Sequence, residues 1–328
     1  MYAYMVERNV MTINRLVQGY ECLSACLGYY MNEYYPEITG SDICIYGGAL
    51  NVSYDVETHI LSTPMYDSNY VFLKENAITY IHDCLDTDDV DVFVSDCIDR
   101  NKKLILKVCS EQLSYNRVFK QAEHSTHFIN IVGETENQYR VVDCYVPTRE
   151  PSVFDGFVDK EEIKSAWKGK KFEYLILEKI CFDYVSVCEK VKEAIVNSIQ
   201  EYCGLSPLSN RQTGEDAVLQ LFSYIGNEVA NPILHEITLD INYQLKIYGF
   251  VSSKIMLTKV LRRYWVCDDL CAMYEAVILN WNNICMHLVK LGITRKREQY
   301  DKLMEKVTQL MKTERDILLG ILEKLQSV

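Results

Sequence analysis

The sequence predicts an α+β domain over residues 1–183, built of helices and an antiparallel sheet, followed by an all-helical domain over residues 184–328. Strand-like apolar patterns end before residue 184, and only helical spacings follow it. The charge changes at the same point, because the first segment has 29 acidic and 17 basic residues while the second has 17 of each. The net charge of −12 is therefore confined to the first predicted domain.

The first predicted domain begins with a helix over residues 21–35, where apolar residues recur at helical spacing and Pro36 ends the pattern. Residues 46–54 combine a Gly-Gly turn with the alternating pattern of a strand. The following segments predict short helices over 70–81, 88–100 and 158–169. They also predict strands over 102–110 and 172–180, the latter closing the sheet, and a hairpin over 126–147 with its turn at 133–137.

The second predicted domain is a series of helices. Its first helix is indicated by apolar residues on one helix face, at Val187, Val191, Ile195 and Ile199. Further helices are predicted near residues 215–227, 233–248, 252–265, 268–290 and 296–326. Turn signals separate them, including Gly249 and Gly292.

Composition excludes several classes of protein. With 48% hydrophobic and 24% charged residues over 328 positions, the chain is typical of a soluble globular protein. It has no run of about 18 apolar residues and its N-terminus lacks a secretory pattern, so we expect a cytoplasmic protein without a membrane span. The acidic balance disfavours nucleic acid and anionic membranes as partners, and it either favours cationic ligands such as amines or only keeps the protein soluble. The odd number of cysteines, thirteen, predicts mostly buried thiols.

Three residues have types and positions that suggest nucleophilic catalysis: Cys22, His127 and Asp143. Cys22 lies at the predicted start of the first helix, where backbone N–H groups and the helix dipole favour a thiolate and can receive an oxyanion. His127 opens the first strand of the predicted hairpin, and Asp143 lies on the second. Pairing across the hairpin can bring the carboxylate to the imidazole, which fixes its tautomer and raises its basicity.

Each of these residues also has an ordinary structural explanation. A cysteine on an apolar helix is usually a core residue, and Cys26, one turn later, is interpreted as one. His124 competes with His127 for the role of base, although it precedes the strand. Asp143 is also acceptable as a polar residue at the end of a strand. The catalytic interpretation therefore depends on the order and context of the three residues together.

This order of elements resembles the papain-like cysteine fold, in which the nucleophile begins the central helix and His and Asp or Asn lie on adjacent strands of the following sheet. More narrowly, four motifs resemble the N-terminal domain of the butirosin biosynthesis protein H family: GYECLSACLGYY (19–30), YGGALNVSY (46–54), HFINIVG (127–133) and YRVVDCY (139–145). The chain is also similar to papain-like amide synthetases of the closthioamide type. The butirosin family has a helical C-terminal region, which the second half of this chain matches in character.

The resemblance implies a cysteine-dependent acyltransferase or amide synthetase of thiotemplated, nonribosomal peptide-type natural-product biosynthesis. It implies Cys22 as nucleophile, His127 as base and Asp143 as the residue that orients the base. An acyl or peptidyl chain would pass from a phosphopantetheinyl carrier protein to Cys22 and then to an amine, such as a diamine or polyamine, without a further cofactor. Papain-like enzymes also use an upstream Gln in the oxyanion hole. Gln18 is the candidate, although it lies closer to Cys22 than is usual, and Asn14 is a substitute.

Metal and nucleotide motifs are missing from the sequence. Spaced pairs such as Cys22/Cys26, His124/His127 and Cys267/Cys271 occur without a CxxC or HExxH motif, so we expect no metal site. The sequence also has no phosphate-binding glycine motif, so amide formation would need a carboxyl already activated, for example as a thioester. Basic residues at 262–263 and 295–297 are either a docking patch for an acidic carrier protein or solvated helix ends.

Two other functions remain open from the sequence. The first is a papain-like cysteine peptidase or amidase, in which water takes the place of the amine. The second is a non-catalytic papain-like binding module, in which Cys22 is only a core residue. An acyl adduct on Cys22 separates the second from the enzymes, and the choice between amide and free acid as product separates the first from an acyltransferase.

Overall fold

The structure is a computed structural model of the chain, and it describes residues 16–86, 89–116, 126–146, 152–206, 212–247, 249–265 and 268–327. The chain divides into two compact units that alternate along the sequence. The first unit comprises residues 1–40 and 79–180, and the second comprises residues 41–78 and 181–328. The mixed α+β class, the antiparallel sheets and the helical C-terminal region confirm the coarse prediction from the sequence.

Among the described residues, strands and helices are interspersed up to residue 179, and helices alone follow. The strands are β1 (Ser53–Asp55), β2 (Ile60–Ser62), β3 (Thr79–Cys84), β4 (Lys103–Cys109), β5 (Thr126–Glu134), β6 (Gln138–Asp143), β7 (Phe154–Asp159) and β8 (Glu173–Lys179). The α-helices are α1 (Cys22–Met31), α2 (Gly40–Tyr46), α3 (Met65–Glu75), α4 (Val90–Asp99), α5 (Lys160–Lys168), α6 (Tyr184–Tyr202), α7 (Gly214–Asn227), α8 (Leu234–Ile247), α9 (Phe250–Tyr264), α10 (Asp268–Thr294) and α11 (Arg297–Ser327).

The first unit is built on an antiparallel sheet with the strand order β3-β8-β4-β5-β6-β7. Strand β4 lies in the interior of the sheet and is buried along almost its whole length, which explains its nearly continuous apolar sequence. Helices α4 and α5 pack on this sheet around the fully buried Trp167, whose indole N–H donates to the Glu173 carbonyl at 2.7 Å. Helix α1 packs against β5 and β6, with Ala25 beside Val142 and Cys144.

The second unit combines the short β1–β2 hairpin with helices α2, α3 and α6–α11. Residue Ser53 on β1 pairs with Thr213, directly before α7. On β2, the backbone N–H of Leu61 donates to the Gln244 side chain on α8 at 3.2 Å. These bonds fix residues 41–78 to the helical region. No helix within the described part of the chain is both long enough and apolar enough to cross a membrane.

A charged cluster lies in the core of the second unit. Glu314 is completely buried on α11, and its carboxylate lies 2.5 Å from the Lys254 ammonium. It also accepts hydrogen bonds from the hydroxyl of Tyr274 at 2.7 Å, the indole of Trp281 at 2.8 Å and the hydroxyl of Tyr202 at 3.1 Å. A buried ion pair is stable only when further hydrogen bonds compensate its lost hydration, and these three donors supply them.

The domain boundary predicted between residues 183 and 184 is close to the point where the chain passes from the first unit to the second, between residues 180 and 181. Residues 41–78, however, belong to the unit that contains the helices and not to the unit that contains the sheet. The acidic residues are therefore divided between the two units differently from the prediction. The first unit has 23 acidic and 16 basic residues, and the second has 23 and 18. The negative charge is therefore not confined to the unit that contains Cys22.

Three local predictions were wrong. Residues 79–81 belong to β3 rather than to a helix, because this edge strand is exposed and lacks the alternation of a half-buried strand. Strand β8 does not close the sheet, since it lies between β3 and β4. Helix α10 continues through Gly292, where a Cβ atom would lie 2.0 Å from the Thr238 hydroxyl. This glycine permits close packing of α10 on α8 and does not end the helix.

Candidate active site

Cys22 is the first residue of α1, as the sequence predicts. The segment before it is fixed to the end of β6, because the Gly19 N–H donates to the Cys144 carbonyl at 2.7 Å. A Cβ at Gly19 would lie 2.3 Å from that of Ala25, so only glycine allows this close approach. Further along α1, the Asn130 side chain donates to the Cys26 carbonyl at 3.4 Å. Helix α1 is thus held against both strands of the hairpin.

The hairpin brings His127 and Asp143 together. Strands β5 and β6 pair with Asn130 opposite Val142. This pairing places His127, near the start of β5, close to Asp143, at the end of β6. The Nε2 atom of His127 lies 2.7 Å from Oδ2 of Asp143, with 2% and 1% of the two side chains exposed. A carboxylate only accepts hydrogen bonds, so Nε2 has the proton and Nδ1 is the atom that can act as a base.

Asp143 is held in place by two further donors. Its Oδ1 atom accepts the Tyr145 backbone N–H at 2.9 Å, and its Oδ2 atom accepts the Tyr115 hydroxyl at 3.2 Å. The Tyr115 ring stacks on Phe154 at a centroid distance of 4.0 Å, which fixes the hydroxyl in position. Because the carboxylate makes three hydrogen bonds, its orientation toward His127 is tightly defined. Tyr115 and Phe154 were not predicted as part of the site, since neither lies in a recognisable motif.

The Cys22 thiol lies beside the strand that contains His127. The backbone N–H of Phe128, the next residue after His127, is a hydrogen-bond neighbour of the Cys22 sulfur. Asp143 also acts electrostatically on this thiol. The structure thus places the predicted nucleophile, base and orienting carboxylate in one region at the start of α1. This arrangement has the components needed for attack of a thiolate on a carbonyl carbon.

The electrostatic state of Cys22 differs from the expectation. Burial raises the pKa of the Cys22 thiol well above its usual value, and the neighbouring Glu21 carboxylate raises it further. The Phe128 N–H acts in the opposite direction but does not compensate. The prediction that the helix start lowers this pKa was therefore wrong, because burial of the thiol opposes its ionisation and the residue that caps the helix is itself an anion.

Glu21 is a residue of the site that sequence analysis missed. Its backbone is extended and its carboxylate caps α1, accepting the Leu23 N–H at 3.0 Å and the Ser24 N–H at 2.6 Å. The same carboxylate accepts from the Cys22 thiol at 3.4 Å. Two of the N–H groups expected to receive an oxyanion are therefore occupied by Glu21. The sequence signal was weak, because Ser, Thr, Asp and Asn are the usual capping residues and Glu is not.

The other predicted site residues contribute less. Gln18, the oxyanion candidate, has an exposed side chain, and none of the hydrogen bonds between described residues joins it to Cys22. Asn14 and the competing base His124 lie outside the described residues. Cys26 is completely buried, as expected of a core residue.

The basic residues at 262–263, which the sequence left open as a docking patch or a solvated helix end, have partners within their own unit. Arg262 pairs with Glu275 at 2.7 Å, and Arg263 pairs with the buried Asp42 at 2.6 Å. Among the described residues, no group of three or more His, Cys, Asp or Glu side chains is arranged to hold a metal ion. Twelve of the cysteines are described as free thiols.

Comparison of the chain with models of protein families and with curated proteins gives no match. The resemblance to the papain-like acyltransferases therefore stays a prediction from the motifs, and the geometry of Cys22, His127 and Asp143 is the basis for assigning a function.

Proposed function

We propose that this protein is a cysteine-dependent acyltransferase that forms an amide from a carrier-bound thioester and an amine. The observation that supports it most is the buried bond between His127 and Asp143, at 2.7 Å, next to a cysteine at the start of a helix. A nucleophile, a base and a group that orients the base are the minimal set for covalent acyl transfer.

The first half of the reaction forms a thioester on the enzyme. Nδ1 of His127 takes the proton from the Cys22 thiol, and the sulfur attacks the thioester carbonyl of the donor. The bond between that carbon and the pantetheine sulfur breaks, and His127 returns the proton to the leaving thiolate. Asp143 stabilises the imidazolium while it exists, because its carboxylate lies on the opposite ring nitrogen.

The second half transfers the acyl group. A neutral amine nitrogen attacks the Cys22 thioester, the carbon–sulfur bond breaks, and the proton lost by the nitrogen passes through His127 to the Cys22 sulfur. Water competes with the amine at this step.

A second candidate function is a non-catalytic binding module. It is favoured by the raised pKa of the Cys22 thiol, since an active nucleophile ordinarily has a lowered one. In this case His127 and Asp143 would form only a buried structural pair. The two candidates differ in whether Cys22 ever reacts with a thioester.

The test is incubation of the protein with a small acyl thioester of N-acetylcysteamine and putrescine, followed by analysis of the products. The proposal predicts an amide of putrescine, whose formation is lost in a Cys22→Ala variant and retained in a Cys26→Ala variant. Free acid as the main product would identify a hydrolase. Unchanged thioester in the presence of folded protein would favour the binding module.

A further inference from the structure

One carboxylate of the candidate active site has no role in either half of the proposed reaction. Glu21 binds two backbone N–H groups of α1, at 2.6 and 3.0 Å, and also contacts the Cys22 sulfur at 3.4 Å. A neutral side chain such as Ser or Asn can accept the same N–H groups, although it lacks the interaction of a negative charge with the helix dipole. The negative charge therefore has a consequence for Cys22 that the cap does not require.

We propose that Glu21 is the acceptor-recognition residue of this site: its carboxylate, which contacts the Cys22 sulfur, binds the ammonium end of a cationic amine, and the bound charge promotes the reaction of Cys22. The inference rests on the proposed acyl transfer for the identity of the ligand. If the inference holds, Glu21 determines which amines the enzyme accepts. A cationic acceptor would also activate the enzyme, because it binds next to the nucleophile.

The physical argument is the charge balance around the Cys22 sulfur. A thiolate at this position faces the Glu21 carboxylate on its own helix and the Asp143 carboxylate from β6, while β5 contributes His127 and the neutral Phe128 N–H. Cys26, one turn further along α1, is a further titratable group nearby. Burial opposes the ionisation of the Cys22 thiol most strongly, and the two nearby anions add to this effect. An ammonium bound to Glu21 would cancel the nearer of them.

The short distance between the Glu21 carboxylate and the Cys22 sulfur suits an acceptor with two amino groups. Because Glu21 contacts the sulfur directly, an ammonium bound to its carboxylate lies within a short carbon chain of an acyl group on Cys22. A diamine can therefore place one charged nitrogen on Glu21 and the other, neutral nitrogen at the thioester. The local carboxylate replaces the overall acidity of the chain as the reason to expect a cationic acceptor, since that acidity is shared by both units.

The test measures the alkylation rate of individual cysteines by iodoacetamide across pH, with peptide mass spectrometry to resolve each thiol. It needs no acyl donor, so it is independent of whether acyl transfer occurs. We expect Glu21→Gln to alkylate Cys22 faster than the wild type at neutral pH, by about tenfold for each unit by which the thiol pKa falls. Putrescine should accelerate Cys22 alkylation in the wild type and have no effect on Glu21→Gln. Butanediol at the same concentration as putrescine, and sodium chloride at the same ionic strength, should have no effect on either protein.

Internal controls separate a charge effect from unfolding. The exposed Cys84 and Cys181 should react at unchanged rates in every variant, and the buried Cys26 should stay unreactive. A Glu21→Ser variant keeps a neutral capping group and should behave like Glu21→Gln. The inference is overturned if both neutral variants alkylate Cys22 no faster than the wild type, or if putrescine has the same effect with and without Glu21. Failure to form an amide, with these responses intact, would instead overturn the proposed acyl transfer.

Discussion

The imidazole of His127 donates from Nε2 to the Asp143 carboxylate at 2.7 Å, and this contact joins the facing ends of two strands of one hairpin. The contact fixes the tautomer of the histidine, so that Nδ1 is the basic atom. It also assigns separate roles to the two residues, because Asp143 is already engaged with Tyr115 and Tyr145 and is not itself a base for the substrate.

The first prediction concerns this pair. His127→Ala should remove acyl transfer almost completely, because it removes the proton acceptor. Asp143→Asn should lower the rate by about a hundredfold or more while leaving it measurable. An asparagine side chain has only one acceptor oxygen. Its NH₂ group must therefore face either the Tyr145 N–H or the His127 ring, so one of these two hydrogen bonds is lost. Product formation by the purified variants is the measurement.

A matched control removes a contact to Asp143 without changing the base. Tyr115→Phe keeps the stack on Phe154 and loses one hydrogen bond to a carboxylate, which is worth about 1.5 kcal/mol, or a factor of about ten in rate. Wild-type activity in His127→Ala would show that another group is the base. Equal losses in Tyr115→Phe and Asp143→Asn would show that Asp143 has no special role.

The second prediction concerns pH. Because burial and Glu21 raise the pKa of Cys22, little thiolate exists at neutral pH without an acceptor. The rate of Cys22 alkylation should therefore keep increasing above pH about 8.5, the ordinary pKa of a free cysteine, rather than level off below it. Rates measured by peptide mass spectrometry from mildly acidic to alkaline pH test this, with exposed Cys84 as the reference thiol. A plateau below the midpoint of Cys84 would mean that Cys22 is an activated thiolate.

The third prediction concerns the acceptor. Cationic amines should be better acceptors than neutral or anionic amines, and their advantage should weaken as ionic strength rises, because salt screens the attraction of a partly exposed carboxylate. Amide yield from one thioester donor over a series of amines, at low and high salt, is the measurement. Equal use of diamines and anionic amino acids, with no salt effect, would contradict recognition by charge but not the cysteine mechanism.

The fourth prediction concerns stability of the second unit. Lys254→Met leaves Glu314 as a buried, unpaired carboxylate and should lower the free energy of unfolding by about 3–5 kcal/mol. Adding Glu314→Gln should recover part of the loss, because the unpaired charge is removed. Urea unfolding measures both. Lys302→Met is the control, since its pair with Glu298 is exposed and should contribute no measurable stability. A small effect of Lys254→Met would show that the cluster is hydrated.

The fold was predictable where the sequence pattern reflects burial. Strand β4 and the β5–β6 hairpin bury apolar residues that are recognisable in the sequence, and the helices of the second unit have regular apolar faces. Strand β3 is exposed and gave no such pattern. The assignment of residues 41–78 depends on long-range bonds, such as that of Leu61 to Gln244, which no local pattern contains.

The site was predictable in its residue types but not in its electrostatics. The register that brings His127 to Asp143 depends on the hairpin turn and on a one-residue register shift between Ile131 and Gly133, and the sequence pattern does not show this shift. The charge state of Cys22 depends on which group fills the helix N-terminus and on how much water is excluded. Glu21 adjoins Cys22 in sequence, yet its role is visible only when its side chain is seen to turn back onto the helix.

The most direct test of the proposed acyl transfer is the intact mass of the protein after incubation with an acyl thioester and no amine. We predict a mass increase equal to one acyl group, located on the peptide that contains Cys22. The adduct should be absent in Cys22→Ala, present in Cys26→Ala, and lost on addition of putrescine as the amide forms. A folded wild-type protein that gains no acyl group at any pH tested, or gains it equally in Cys22→Ala, would contradict the central claim that Cys22 is the nucleophile of an acyltransferase.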